Sequence, residues 1–98
     1  MPSKANVRRL RMLVSVEFFG IVRSRAGVAR TTAHGTFLGD VLEDLARNYP
    51  KLAETCIDGQ RLRPGFIANV CGNHFVTSPD TTLSPGDTVM LLSMDAGG

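Results

Sequence analysis

The run Thr88-Val89-Met90-Leu91-Leu92 is the most apolar strand-length stretch of this 98-residue chain. Apolar residues on both faces are typical of a strand inside a sheet, because a strand with one solvated face alternates with polar residues. The turn sequence Ser84-Pro85-Gly86-Asp87 comes shortly before this run and marks where the strand begins. We therefore expect residues 88–92 to form the central strand of a sheet.

Three other parts of the chain supply neighbours for that strand. Met12–Phe19 alternates apolar and polar residues, which predicts a strand with one buried face. Val28–His34 is polar and rich in threonine, which favours an edge strand that forms a hairpin with the first. Phe66–Cys71 and His74–Val76 flank Gly72-Asn73 and predict a short hairpin around a two-residue turn.

One helix stands out from its periodicity. Thr36 offers an N-cap oxygen, and the pair Tyr49-Pro50 ends the segment because the residue before proline is driven out of the helical region. The pattern predicts a helix over Phe37–Asn48, and residues 51–64 a surface connection with at most one helical turn. The apolar residues recur at helical spacing, namely Leu38, Val41, Leu42 and Leu45.

The element order is strand, strand, helix, strand, short strand, strand. One helix covering one face of a mixed sheet is an α+β arrangement. With 43% hydrophobic and 20% charged residues, the chain has the composition of a single folded domain, which we place at residues 12–98. Residues 1–11 are predicted to be a flexible extension, and residues 93–98 a tail of the domain.

Charge and hydropathy exclude several classes of partner. Eleven Lys and Arg residues against nine Asp and Glu leave a formal charge of +2, and four of the basic residues lie within the first eleven. A basic extension on a near-neutral domain does not predict a nucleic-acid-binding face. The apolar stretch at Leu13–Val22 is interrupted by Ser15, Glu17 and Gly20, so it predicts no membrane span, and no secretory signal precedes it. We expect a cytoplasmic protein.

Residues for independent catalysis are scarce. The sequence has no nucleophile elbow, no glycine-rich phosphate loop followed by lysine, and no metal-ligand spacing around Cys56 or Cys71. His34 and His74 stand alone in the sequence, so both fit structural positions better than catalytic ones. We expect two free thiols, no bound metal or cofactor, and a chain that is not an enzyme by itself.

The end of the chain is the feature that points to chemistry. After the apolar strand, Ser93–Gly98 closes on Gly97-Gly98. Six extended residues span about 20 Å, and glycines without side chains fit a narrow channel. A terminal carboxylate is inert as an acyl donor until it is converted to a mixed anhydride, so Gly98 would be a substrate. A frayed tail that happens to end in two glycines is the alternative interpretation.

Three stretches carry a resemblance to a known family. They are Val16–Arg23 with Ala26-Gly27, then Val70–Asn73 ahead of Val76, and finally Leu83–Val89 leading to Gly97-Gly98. Across Met12–Gly98 the sequence resembles the sulfur carriers with the ubiquitin-like β-grasp fold. Within them it is most similar to the small subunit of molybdopterin synthase, the MoaD-like group related to ThiS.

The resemblance implies that a ubiquitin-activating-like adenylyltransferase uses ATP to adenylate Gly98, which is then converted to a thiocarboxylate. Asp95, Ala96 and Gly97 would enter the partner with Gly98. In the molybdopterin branch, the acceptor is the large subunit of molybdopterin synthase, which holds the catalytic residues. ATP would be used by the activating partner and not held by this chain.

Partner binding is predicted at the last strand. Val89 and Leu91 fall on one face and Met90 and Leu92 on the other, so exposed Phe19, Met90 and Leu92 would form a docking patch. Coverage of these residues by a loop or by the N-terminal extension is the alternative. The resemblance implies that Arg23 makes a charge contact at the patch rim, and a solvated loop arginine is its alternative.

Two departures from the family pattern keep other pathways open. Cys71 stands where relatives commonly have asparagine, and Ser93-Met94 replaces a proline pair that is common before the tail. Sulfur delivery to thiazole or cysteine synthesis is therefore an alternative. A ubiquitin-like modifier joined to lysines through Gly98 is another, and an interaction module with a chemically idle terminus is the third.

Overall fold

The main sheet has five strands in the order β2-β1-β7-β5-β6, as given by a computed structural model that describes residues 12–94. β7 is central and runs parallel to β1 and antiparallel to β5, which confirms the position predicted for the last apolar run. The α+β fold class is also confirmed. The strands are β1 (Leu13–Phe18), β2 (Arg30–His34), β5 (Phe66–Val70), β6 (His74–Val76) and β7 (Thr88–Ser93).

The structure adds elements that the predicted order lacks. Three helices are described instead of one: α1 (Gly20–Ala26), α2 (Leu38–Asn48) and α3 (Pro50–Thr55). A second, two-stranded sheet pairs β3 (Ile57–Asp58) with β4 (Arg61–Leu62). The predicted hairpin of β1 and β2 exists, but α1 lies within its connection.

Helix α2 starts one residue later than predicted, and Thr36 is not its N-cap. The N-cap residue is Phe37, whose side chain has no acceptor atom. The carboxylate of Asp40 instead accepts hydrogen bonds from the backbone N–H groups of Thr36 (3.3 Å) and Phe37 (3.2 Å). A negative group in the first turn also suits the helix dipole. At the other end, Tyr49 caps α2 and Pro50 occupies the first turn of α3, as expected for proline.

The segment after α2 is not a plain surface connection, because it buries three side chains. Leu52 on α3, Cys56 and Ile57 are each at most 1% exposed. Arg63 secures the segment by donating from its backbone N–H to the carbonyl of Cys56 at 2.8 Å, and from its guanidinium to the carbonyl of Ala53 at 2.7 Å. The segment therefore adds Leu52, Cys56 and Ile57 to the core, while the rest of it stays at the surface.

The core fills the space between the helices and one face of the sheet. Valines and leucines from the predicted strands and from α2 meet there, and burying each contributes roughly 1.5–3 kcal/mol. Phe18 packs edge-on against Tyr49 with ring centroids 5.9 Å apart, and the Tyr49 hydroxyl donates to Thr31 Oγ1 at 2.9 Å. The fully buried members include Val14, Val16, Val89, Leu91, Leu38, Val41, Leu42 and Leu45.

The turn between β5 and β6 centres on Cys71-Gly72 and not on the predicted pair Gly72-Asn73. Cys71 has φ 56° and Gly72 has φ 76°, and the Asn73 N–H donates to the Val70 carbonyl at 3.1 Å. Two consecutive positive φ angles define the type I′ turn, whose first central position favours asparagine over a side chain such as cysteine. Within residues 12–94, Cys71 is the one non-glycine residue with positive φ.

Replacing Cys71 with asparagine should therefore stabilise the chain. We expect Cys71→Asn to raise the free energy of unfolding by about 0.5–1 kcal/mol, because asparagine tolerates the left-handed region with less strain. Both this variant and Cys71→Ala lose the contact of 3.3 Å between Cys71 Sγ and Asp87 Oδ1, which makes Cys71→Ala the matched control. Urea unfolding measures all three chains, and an alanine variant as stable as the asparagine variant would contradict the turn assignment.

Candidate functional site

The C-terminal tail leaves from the central strand. β7 ends at Ser93, and the Met94 N–H donates to the Gly65 carbonyl at 2.8 Å. Ser93 still pairs with Phe66, so the strand covers the first residue of the tail predicted at 93–98. Asp95, Ala96, Gly97 and Gly98 lie outside the described residues. Four residues span at most about 13 Å when fully extended, and the roles predicted for these four stay predictions.

The tail leaves from the end of β7, and β7 is held on both sides by neighbouring strands. Its Leu91 lies opposite Phe18 of β1 and opposite Ala68 of β5. Beyond the end of β1, the Phe19 N–H donates to the Leu91 carbonyl at 3.1 Å. The neighbouring strands therefore fix the point from which the tail departs and the position of Phe19 beside it.

The sheet face that points away from the core carries an apolar pocket of about 190 Å³. We call it the groove; its lining residues are Phe19, Asn69, Phe75, Met90 and Leu92. The three patch residues predicted from the sequence, Phe19, Met90 and Leu92, thus lie together. Their role in partner binding stays a prediction.

The groove is open at its rim, where Phe19 is 43% and Phe75 is 65% exposed. The helices contribute their buried residues to the core on the opposite face of the sheet. Large exposed aromatic side chains beside half-buried apolar ones are typical of a protein-docking surface. Of the residues between 12 and 94, no charged one lines the groove, which favours an uncharged apolar group as its occupant.

Sequence reasoning missed Asn69 and Phe75. Asn69 lies between the buried residues Ala68 and Val70 on β5, so strand alternation places it on the groove face opposite Met90. Phe75 is the register partner of Asn69 on β6. The alternation along β5 could be read from the sequence. The strand register that places Asn69 and Phe75 beside Met90 could not.

Arg23 lies on helix α1, so the alternative of a loop arginine is wrong as to its position. It is exposed, does not line the groove, and makes no ion pair with any residue between 12 and 94. Its contact with a partner stays a prediction.

The titratable groups of residues 12–94 do not assemble a catalytic centre. Cys56 is buried, and loss of solvation raises the pKa of its thiol. The positive charges of Arg25 and Arg63 act in the opposite direction but lower the pKa by less. The thiol therefore stays protonated, whereas Cys71 is exposed, and neither residue forms a disulfide. His34 lies with Nδ1 3.8 Å from Asp44 Oδ2 at the surface.

Residues 12–94 offer neither a cluster of metal-binding side chains nor a membrane-spanning helix. No group of three or more His, Cys, Asp or Glu side chains is placed to hold a metal ion there. None of the described helices has the length and apolarity required to cross a membrane.

Comparison with known proteins gives a family match and several structural matches. The model of the ThiS family matches residues 16–98. The small archaeal modifier protein 1 of Methanosarcina acetivorans is similar in structure with a TM-score of 0.72 and 24% identity, covering 90% of this chain and 98% of that one. No curated protein matches the sequence significantly.

Two other solved structures are similar along most of their length. CysO of Mycobacterium tuberculosis has a TM-score of 0.68 and 28% identity, with 82% of this chain and 97% of that chain covered. A putative subunit 1 of the molybdopterin converting factor from Pyrococcus furiosus has a TM-score of 0.67 and 23% identity, with 84% and 97% covered. The similarity to this chain therefore extends over nearly the full length of each of these small proteins.

Proposed function

This chain belongs to the ThiS family, the ubiquitin-like β-grasp sulfur carriers, and from that premise we propose that it carries sulfur as a thiocarboxylate on Gly98. The observation that supports the proposal is the position from which the tail leaves the sheet. The central strand β7 ends at Ser93, five residues before Gly98, directly beside the exposed groove. A partner seated on the groove would receive the tail in its own active site.

The chemistry runs in two steps on the carboxyl group of Gly98. A carboxylate oxygen attacks the α-phosphorus of ATP, and pyrophosphate leaves, which gives an acyl-adenylate. Sulfur at the oxidation level of sulfide then attacks the carbonyl carbon, and AMP departs with the electrons of the broken C–O bond. The product is the thiocarboxylate. The activating adenylyltransferase supplies the catalytic groups, while this chain supplies the substrate and its docking surface.

Among acceptors we propose the large subunit of molybdopterin synthase. The support is the sequence pattern of Phe18-Phe19 followed by Arg23, with Phe19 now placed in the groove. In this complex, which we place in the cytoplasm, the tail would hand its sulfur to a pterin precursor held by the large subunit. Ser93 and Met94 in place of prolines leave delivery to thiazole or cysteine synthesis as the alternative route.

A protein modifier is the second candidate, because it needs the same fold and the same glycine end. Small archaeal modifier protein 1 shares the fold over 90% of this chain. In that case, a lysine amine would attack the acyl-adenylate carbonyl, AMP would leave with the electrons of the broken C–O bond, and loss of a proton from the amine nitrogen would give an amide bond. Conjugates of high mass that disappear when Gly98 is deleted would support the modifier.

Intact-mass spectrometry of the chain purified from its own host tests the proposal. The expected result is a species heavier by the difference between sulfur and oxygen, with the change located at Gly98 by fragmentation. The same shift should form when the unmodified chain is incubated with the activating enzyme, ATP and a sulfide donor. A plain carboxylate under both conditions would overturn the carrier function.

A further inference from the structure

Asn69 is a polar residue, whereas the other residues that line the groove are apolar. It is 7% exposed and is the one buried polar residue recorded between residues 12 and 94. Its Oδ1 atom is fully buried and has no hydrogen-bond partner among the described residues. A buried carbonyl oxygen without a donor weakens the folded state, so an apolar residue of similar size would suit the isolated chain better.

The position of Asn69 connects this defect to the groove. Asn69 lies between Met90 of β7 and Phe75 of β6 in the sheet register, and its side chain lines the groove with both. Met90 is half-buried and unbranched, so a side chain docking in the groove can displace it.

We propose that Asn69 determines partner specificity in the sulfur-carrier reaction, by accepting a hydrogen bond from an uncharged N–H or O–H donor of the activating enzyme. The enzyme would place an apolar side chain in the groove and the donor beside it. The inference rests on the proposed function, because the occupant is taken to be the enzyme that works on Gly98. The neutral groove and the four-residue reach of the tail beyond Met94 both favour that occupant.

The physical basis is a difference between the free and bound states. Among residues 12–94 of the free chain the acceptor has no partner, whereas in the complex it is paired. An apolar surface that lacks a donor would bury Asn69 unpaired, so its binding would be penalised. Asn69 thereby lowers the stability of the free chain and gains selectivity for a partner with a matching donor.

Three variants separate this role from a merely structural one. Asn69→Leu removes the hydrogen-bonding group and enlarges the apolar surface, while Asn69→Thr keeps a hydroxyl and also suits a strand. Thr32→Leu is the control, since it adds the same apolar side chain to an exposed β2 position that does not line the groove. Thermal unfolding of each free chain and calorimetric affinity for the activating enzyme with ATP are measured.

We expect Asn69→Leu to unfold a few degrees above the wild type and to bind about tenfold more weakly. Asn69→Thr should bind more tightly than Asn69→Leu, and Thr32→Leu should bind like the wild type. Unchanged or tighter binding by Asn69→Leu would overturn the proposal, as would weaker binding by Asn69→Thr than by Asn69→Leu.

The remaining outcomes are also decisive. A lower unfolding temperature for Asn69→Leu would mean that Asn69 already has a partner within the chain, residues 1–11 included, and would overturn the proposal. A wild-type chain that neither binds the enzyme nor gains sulfur would overturn the proposed function together with this inference. A wild type that gains sulfur, with binding insensitive to Asn69, overturns this inference alone.

Discussion

Deletion of Gly98, or addition of one residue after it, should abolish formation of the thiocarboxylate. One residue displaces the reacting carboxyl by about 3.5 Å, whereas a misplacement of about 1 Å already costs roughly 100-fold in rate. We therefore expect a loss of at least about 100-fold in the rate of adenylation. Exchange of labelled pyrophosphate into ATP by the activating enzyme measures that step directly.

The fold should be insensitive to the same changes, since the last described hydrogen bond to the sheet is made by the Met94 N–H. Circular dichroism and thermal unfolding of the shortened and extended chains provide that control. An extended chain with full activity would contradict the prediction, unless mass spectrometry shows that processing has restored Gly98 as the terminus.

Introducing a positive charge at Met90 should have the second-largest effect. Met90→Lys places an ammonium group in the middle of the groove, where docking would strip it of water without an opposing charge from an apolar partner. We expect binding to the activating enzyme to weaken by about 100-fold, comparable to the loss of an interface hot spot. Affinity is measured by titration calorimetry with ATP present.

The sheet itself should accept the lysine. Met90 is half-buried and lies beside Glu17 in the register with β1, so a favourable ion pair is available in the free chain. Thr32→Lys adds the same charge on β2 outside the groove and should bind like the wild type. Equal loss of binding in both variants would assign the effect to net charge and not to the groove.

The elements that could be predicted are those whose burial leaves a repeating pattern. β7 has apolar residues on both faces, which predicts a central strand. α2 repeats its leucines at helical spacing, which predicts a helix with one buried face. Helix α1 has a single buried residue, Val22, among exposed glycine, serine and arginine residues, so no periodicity reveals it. Leu52 and Cys56 are spaced like residues on one helix face, but two positions in so short a helix establish no period, and Ile57 already belongs to the strand β3.

The candidate site was predictable only where it follows from single strands. Alternation along β7 placed Met90 and Leu92 on one face, and the strand end placed Phe19 near them. Asn69 and Phe75 joined the groove through pairing of β5 with β7 and of β6 with β5, which depends on register across distant residues. The positive φ of Cys71 also escaped prediction, since cysteine has no intrinsic preference for that conformation.

The central place of β7 also bears on how the chain is made. This strand is the last described element to leave the ribosome, yet it belongs between β1 and β5, which have no other contact with each other in the sheet. Until residues 88–93 are available, the two halves of the sheet have no strand to join them, so the sheet can close only after residue 93 has been synthesised. A product terminated before residue 88 would lack the centre of the sheet together with the point from which the tail departs. Any chain that completes the sheet has therefore been synthesised at least to residue 93.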